Sequence, residues 1–247
     1  AKVTASSERR MEVAAGEQLY TLDQRGGLIL PVESEQADSL ALYLRAVRPT
    51  ELRAYVFGCD KPHNYRFQTL LKTLCLPWQG EGWVTLNLGV RPGAGKKLLV
   101  VLDKNDALQI KAANTWLVGV LGIEVADTPD IGPSTRFQWT AFTPCFRLLP
   151  EQRVYRPQVL TDGYIRPHGL PHCWSSEQIG PGHPAWVELE FSQPASIGSV
   201  EIVFNSDLNV LRHSIHGMYP VVKDYEVWAL TDVGEQLLVH EEGNIQR

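Results

Sequence analysis

The sequence predicts an all-β chain built of β-sandwiches. Apolar and polar residues alternate in four segments, and period-two alternation is typical of strands with one face on a core. These segments are residues 40–45, 83–88, 186–191 and 200–204. The continuous apolar run 98–102 predicts a strand covered on both faces. Glycine and proline indicate turns between the segments. The turns are expected at residues 25–27, 91–95, 180–182 and 232–234.

Helices are predicted at two places only. Gln68–Leu76 and the stretch near Thr50 are the segments whose composition and spacing suit short helices. Everything else favours strands and turns.

The chain length of 247 residues and the spacing of the strands predict two jelly-roll-like sandwiches in tandem. A loose stretch, residues 126–134, follows the first strand series, and residues 136–149 then predict a strand or two. A second series is expected from near Val159. The boundary is therefore placed near Pro150, giving an N-terminal sandwich at 1–150 and a second one at 151–247.

The charge and hydropathy of the chain argue against nucleic acid and membrane as partners. The chain carries 23 basic and 28 acidic residues, a net charge of −5, without a run of either sign, which argues against nucleic-acid binding because that needs a concentrated basic face. No apolar run reaches the roughly 18 residues of a transmembrane helix. A soluble protein is expected, and its compartment, cytoplasmic or exported, is left open. The four cysteines are far apart and are interpreted as buried thiols rather than a disulfide framework.

Enzyme signatures are missing from the sequence. It contains no GxGxxG, no GxxxxGK[ST] and no GxSxG motif. Gly-Ala-Gly-Lys-Lys at 93–97 is interpreted as a hairpin turn, since a phosphate loop needs a following helix. Glu188 and Glu190 alternate with apolar residues and predict a solvated strand face rather than an acid/base pair.

Residues 162–176, DGYIRPHGLPHCWSS, are dense in reactive side chains. A zinc site on His168, His172 and Cys173 is one interpretation, with His183, His213 or His216 completing it. Histidines four apart converge readily only on a helix, and the prolines at 167 and 171 oppose one. A proline-stiffened loop is the favoured interpretation.

Three motifs follow one another in the second half of the chain: Leu-Thr-Asp-Gly at 160–163, Cys-Trp-Ser-Ser at 173–176, and Pro-Ala-Trp-Val-Glu-Leu-Glu-Phe at 184–191. Their order resembles that in discoidin-like (F5/8 type C, galactose-binding-like) domains. A strand such as 197–202 follows them in that family. The resemblance implies a galactose-binding-like sandwich for residues 151–247.

A narrower resemblance covers nearly the whole chain. Asp-Gly-Tyr-Ile-Arg-Pro at 162–167, Phe-Asn-Ser-Asp-Leu-Asn at 204–209 and Val-Val-Lys-Asp-Tyr-Glu-Val at 221–227 resemble the C-terminal region of bacterial FAD-dependent oxidoreductases. Residues 1–7, 61–65 and 82–86 resemble the preceding part of that region. Asn205 stands where the family pattern has aspartate. Because the family continues beyond residues 243–247, a fragment with a truncated second sandwich is expected.

The resemblance implies a non-catalytic accessory region of a larger oxidoreductase, either a binding module for carbohydrate or a scaffold. The alternatives are purely structural domains that shape the oxidoreductase entrance or an oligomer interface, and, ranked last, a stand-alone glycan-acting hydrolase. FAD would belong to an upstream flavoprotein domain of the same polypeptide, the expected partner. No cofactor and no catalytic residue are expected in this chain, and no membrane partner is expected.

Candidate ligand-binding residues lie in two loops, as they do at one end of such sandwiches. Aromatic faces suit the apolar side of a sugar, and Arg, Asp and Asn suit its hydroxyls. The candidates are Tyr164, Arg166, His168, Trp174, Asp207, Asn209, Arg212 and His213. Trp174 is alternatively a core residue, and Arg166 a partner of Asp207. The resemblance also implies a structural calcium near the Asp-Gly turn, with Asp162 as its one nameable ligand.

Overall fold

The structure is a computed structural model, which describes residues 1–115, 117–177, 182–204 and 222–244. In these residues the regular structure is β-strand, apart from one short 3-10 helix (Pro157–Thr161). The all-β prediction is confirmed. None of the described helical structure has the length and apolarity that crossing a bilayer requires.

The chain divides into two compact units, Ala1–Gln193 and Pro194–Arg247. Residues 151–193 thus share a unit with the first 150 residues, and the tandem division near Pro150 stays a prediction. Two contacts illustrate the sharing. The Tyr155 hydroxyl donates to the Val118 carbonyl at 2.7 Å, and the Gln158 amide donates to the Val3 carbonyl at 3.1 Å.

The first unit contains twelve strands in its described residues. They are β1 (Lys2–Ala5), β2 (Gln18–Leu22), β3 (Arg25–Pro31), β4 (Ala37–Gly58), β5 (Thr69–Val90), β6 (Lys97–Leu102), β7 (Asn105–Ala113), β8 (Leu121–Val125), β9 (Phe137–Trp139), β10 (Thr143–Pro144), β11 (Phe146–Leu149) and β12 (Val187–Glu190). The main sheet has the order β10-β7-β4-β6-β3-β8-β9, with β5 and β11 also paired to β4 and β2 paired to β7. All of these pairs are antiparallel. β1 and β12 form a separate two-stranded sheet with Lys2 opposite Glu190.

The sheet curls into two layers because β4 and β5 bend together. The first half of β4 pairs with β11 and β7, and its second half pairs with β6. The register shifts between Ala46, which pairs with Gly80 (φ 90°), and Thr50, and Gly82 (φ 154°) lies two residues further along, opposite Leu44. These positive φ values are conformations that glycine adopts without strain. Residues 72 and 88 of a fully extended strand would lie about 50 Å apart, yet the Lys72 ammonium donates to the carbonyls of Asn87 and Leu88 on the same strand.

Both predicted helices are wrong, since Gln68–Leu76 falls largely in β5 and Thr50 falls in β4. Leu70, Leu71 and Leu74 have spacings that also suit a helix, so the local pattern alone is ambiguous. The deciding factor is the neighbouring strand: residues 69–76 pair with residues 52–58 of β4, whose inward side chains are already buried in the core.

The core lies on both faces of the inner strands. One cluster fills the space between the layers and includes Leu28, Leu98 and Val100. A second cluster covers the opposite face and includes Leu99 and Val101. This confirms the prediction that residues 98–102 form a strand covered on both sides.

Two of the four predicted turns are confirmed. The turns at 91–95 and 232–234 are confirmed, but residues 25–27 lie inside β3. Gly27 is required there by close packing rather than by a turn, because a Cβ would lie 1.9 Å from the carbonyl oxygen of Val100. The segment 93–97 joins β5 and β6, which pair with β4 and not with each other, so it is a turn but not a hairpin. Residues 180 and 181 lie outside the described residues.

The second unit contains one described hairpin, β13 (Tyr225–Thr231) and β14 (Gly234–Glu241), with a register shift between Val227 and Trp228. The predicted strand at 200–204 is wrong for its described residues, which form no ladder. Alternation marks where a strand is feasible, but a strand also needs a neighbour to accept its hydrogen bonds. The alternating segments 40–45 and 83–88 lie in β4 and β5, and most of 186–191 in β12, as predicted.

Candidate functional site

The candidate site is the segment 162–176, which we call the rim loop. Asp162 caps the end of the 3-10 helix and uses both of its carboxylate oxygens within the loop. Oδ1 accepts the Tyr164 backbone N–H at 3.0 Å, and Oδ2 lies 2.6 Å from His172 Nδ1. His172 Nε2 lies 3.2 Å from the carbonyl oxygen of His168. The Asp162 carboxylate thus ties the start of the loop to His172, ten residues further along.

The Tyr164 ring stacks on two histidine rings of the same loop. The Tyr164 ring lies 4.1 Å from the His172 ring at an interplanar angle of 27°. It lies 5.6 Å from the His168 ring at 14°. Tyr164 remains half exposed at 49%, and its neighbour Ile165 is 76% exposed. The loop therefore presents a braced aromatic surface to solvent.

The rim loop is docked on the first unit by close backbone packing. Gly169 has φ 79°, and a Cβ there would lie 3.2 Å from the Gly95 carbonyl oxygen and 3.3 Å from Pro62 Cβ. Pro171 packs against Gly119 in the same way. His172 itself has φ 50°, an uncommon conformation for a residue with a side chain. The loop conformation is thus determined by several contacts at once.

Trp174 lies at the far end of the loop. Its side chain is half-buried, and its indole N–H donates to the Ser7 carbonyl at 2.8 Å. Arg9 and Ser175 join the same two segments through a backbone hydrogen bond of 2.8 Å. Trp174 therefore anchors the rim loop to the N-terminal segment, a placement closer to the core alternative than to a free ligand platform.

The structure brings only part of the predicted site together. Tyr164, Arg166 and His168 are exposed in the rim loop. The second predicted loop, with Asp207, Asn209, Arg212 and His213, lies outside the described residues, and so does the alternative pairing of Arg166 with Asp207.

The metal interpretations find no support in the rim loop. Both ring nitrogens of His172 face acceptors of the protein. Calcium takes about six to eight oxygen ligands, whereas the Asp162 carboxylate is engaged by the Tyr164 N–H and by His172. Within the described residues, no group of three or more His, Cys, Asp or Glu side chains is arranged to hold a metal ion. The residues described around Asp162 do not fit a calcium site.

A buried polar pair that the sequence pattern did not predict lies next to the rim loop. The last ladder pair of β4 and β6 is Gly58 and Leu98, so Cys59 and Lys97 occupy the next opposed positions, on the face of the second core cluster. Both are only 2% exposed. Burial lowers the pKa of Lys97 to about 8 and raises the pKa of Cys59 to about 11.

The Lys97 ammonium is held by a short loop that also supports the rim loop. It donates to the Pro62 carbonyl and lies 4.1 Å from the centre of the Tyr65 ring. A signal for its burial exists in the sequence: Lys97, Leu99 and Val101 share one face of β6, and that face is apolar. The buried-thiol interpretation is confirmed for Cys59 and Cys145, whereas Cys75 is exposed and Cys173 half-buried.

The chain matches no family model, no curated protein and no solved structure.

Proposed function

We propose that this chain is a non-catalytic binding module whose rim loop recognises carbohydrate. The observation that carries the proposal is the braced surface of Tyr164, Arg166 and His168, exposed together on a loop that is held by Asp162 and docked on the sandwich. A guanidinium supplies several hydrogen-bond donors for hydroxyls, and aromatic side chains supply apolar contact area. A rigid loop loses little conformational entropy when it binds.

The biological setting is part of the same proposal. The motifs at 162–167 and 221–227 support an accessory region in a larger FAD-dependent oxidoreductase of bacterial type, with the flavoprotein domain as its partner and as the holder of FAD. No catalytic residue is assigned to this chain. A pull-down of such a flavoprotein domain by the 247-residue chain tests this part separately from sugar binding.

Calorimetric titration with a panel of neutral and acidic monosaccharides tests the carbohydrate proposal. Arg166→Ala is expected to weaken binding at least about tenfold, as the loss of one charged hydrogen bond of about 1.5–3 kcal/mol predicts. Arg48→Ala is the matched control, because Arg48 is an exposed arginine on β4, outside the loop. Binding by no member of the panel, or equal losses in both variants, refutes the proposal.

A scaffolding role is the second candidate, and a different observation favours it. Large apolar side chains are exposed on β12 of the first unit and, separately, on the hairpin of the second unit. They are Val187 and Leu189 on β12, and Trp228, Leu230, Leu237, Leu238 and Val239 on the hairpin. Exposed apolar strands of this kind are typical of surfaces that another protein covers.

Dye binding and sedimentation of the chain test the scaffolding role. Leu189→Ser and Leu237→Ser are expected to reduce fluorescence of an apolar-surface dye and to reduce self-association. Leu70→Ser is the control, since Leu70 is a comparably exposed leucine on β5. A monomer that binds no dye and is unchanged by these substitutions argues against a scaffold.

A further inference from the structure

We infer that Asp162 and His172 form a positioning pair that orients Tyr164 and His168 on the rim loop. The inference rests on the proposed function for its ligand, a carbohydrate, but its structural part is tested without one. It assigns to Asp162 a role different from that of a calcium ligand. It also adds His172 to the residues on which the binding surface depends.

Tyr164 is constrained at both its backbone and its ring. Its backbone N–H is held by Asp162 Oδ1 at 3.0 Å, and its ring is stacked on His172 at 4.1 Å. His172 is in turn held by Asp162 Oδ2 at 2.6 Å. One carboxylate thus controls both the backbone and, through His172, the ring of the same tyrosine.

His168 is constrained at the same two places. Its carbonyl oxygen lies 3.2 Å from His172 Nε2, its backbone N–H donates to the Leu170 carbonyl at 2.9 Å, and its ring stacks on Tyr164. The His168 residue is nevertheless exposed, so the contacts fix its backbone and one side of its ring and leave part of the imidazole open to solvent. A side chain presented in this way suits ligand contact more than loop packing.

The backbone of His172 is itself strained. Its φ of 50° is unfavourable for a residue with a Cβ, and such conformations persist only where surrounding contacts over-determine them. The side chain of His172 is largely buried, at 11% exposure, against a carboxylate at 28%. The short, sheltered contact between them compensates the strained backbone, and losing it releases the loop.

The test uses three variants of the full chain. Asp162→Ala removes both carboxylate contacts. Asp162→Asn keeps an oxygen for the Tyr164 N–H and offers an amide N–H to His172 Nδ1, so it is the rescuing variant. His172→Phe keeps a ring for stacking but removes both ring nitrogens.

The ligand-free measurement is the set of nuclear Overhauser contacts between the Tyr164 and His172 or His168 rings. These contacts are expected in the wild type and in Asp162→Asn, and are expected to be lost in Asp162→Ala. His172→Phe is expected to keep a contact between the Tyr164 ring and the substituted phenyl ring, and to lose the contacts to His168. Retention of the wild-type contacts in Asp162→Ala overturns the inference, whether or not any sugar binds.

The ligand measurement uses the sugar that binds the wild type in calorimetry. Asp162→Ala is expected to weaken the affinity for the sugar about tenfold, because the side chains of Tyr164 and His168 must then become ordered when the sugar binds. Asp162→Asn is expected to recover the affinity. Unchanged affinity in Asp162→Ala, in spite of lost ring contacts, overturns the positioning role. If no sugar binds the wild type, the proposed function fails, and the ring contacts still decide whether Asp162 and His172 are a positioning pair.

Excess calcium and excess chelator are each expected to leave the ring contacts unchanged. Loss of the ring contacts when calcium is added also overturns the inference.

Discussion

The ammonium of Lys97 lies 4.1 Å from the centre of the Tyr65 ring and donates to the Pro62 carbonyl, in a site where only 2% of the lysine is exposed. Among the described residues no carboxylate forms an ion pair with it. Desolvation is therefore the main influence on this cation, and it lowers the pKa of Lys97 from 10.5 to about 8.

This depressed pKa predicts how stability changes with pH. Between about pH 8 and 10.5 the unfolded chain keeps the Lys97 proton and the folded chain releases it, so the free energy of unfolding rises with pH in that window. Lys97→Met removes this rise. The stability difference between the variant and the wild type is expected to shift by about 2 kcal/mol between about pH 7.5 and 9.5, measured by urea unfolding.

Two controls isolate the effect of Lys97. Cys59, with its pKa raised from 9.0 to about 11, acts in the opposite direction above pH 9.0, but it is present in both proteins and largely cancels in their difference. Lys61 is an exposed lysine in the same loop, and Lys61→Met is the control for the loss of a nearby surface lysine. Parallel stability curves for Lys97→Met and the wild type contradict the prediction.

Gly169 is predicted to be needed for docking of the rim loop. Gly169→Ala combines an unfavourable φ of 79° with contacts of 3.2 and 3.3 Å to Gly95 and Pro62, and is expected to cost about 2 kcal/mol of stability and to speed amide exchange at 60–66. Gly163→Ala is the matched control. It has a similar φ of 88° with open space around its Cβ, so about 1 kcal/mol is expected. If the two variants lose equal stability, docking of the rim loop does not contribute to the free energy of unfolding.

Gly27 is predicted to be irreplaceable in β3. An alanine Cβ would lie 1.9 Å from the Val100 carbonyl oxygen, and the neighbouring backbone of β6 has no room to move because both of its faces are buried. Gly27→Ala is expected to reduce the free energy of unfolding by about 3 kcal/mol or more. At Gly26 the nearest atom to a Cβ is 3.5 Å away, so Gly26→Ala is expected to change stability by less than about 1 kcal/mol. Thermal unfolding of both variants measures the contrast, and similar melting temperatures refute it.

His240 is predicted to titrate above an ordinary histidine. Glu242 and then Glu226 raise the pKa of His240 from 6.5 through hydrogen bonds of 3.1 and 3.0 Å. These bonds stabilise the hairpin fully below pH 6.5, and that contribution is lost as pH rises through the folded pKa. Glu242→Gln is expected to lower the pKa of His240, and Glu226→Gln to lower it less, in an NMR titration. Glu235→Gln, on the same hairpin, serves as the control, and an unchanged titration in Glu242→Gln contradicts the prediction.

The strands that sequence analysis predicts well are those whose pattern depends on burial alone. Residues 98–102 are apolar because both faces of β6 are covered, and residues 83–88 alternate because one face is. Because buried positions carry apolar side chains and exposed positions carry polar ones, such segments can be predicted from the sequence. Gln68–Leu76 is not readable in this way, because its leucines suit a helix or a strand and the β4 neighbour decides.

The sequence predicts only part of the candidate site. Tyr164, Arg166 and His168 are polar or aromatic residues between prolines and glycines, and that pattern predicts an exposed loop. That Asp162 binds His172 ten residues away depends on how Gly163, Gly169 and His172 turn the backbone. The pairing of Cys59 with Lys97 was also not predicted, since strand order and register bring these two distant residues together.

The all-β class, the position of most strands and the irregular loop at residues 162–176 follow from the amino-acid sequence alone, because side-chain polarity and backbone freedom are local properties. The folded chain is needed to show where β4 and β5 bend, which glycines meet a neighbouring backbone, and which carboxylate holds which histidine. Those features depend on contacts between segments that are far apart in the sequence, and the local sequence of each segment does not show which distant segment it will contact.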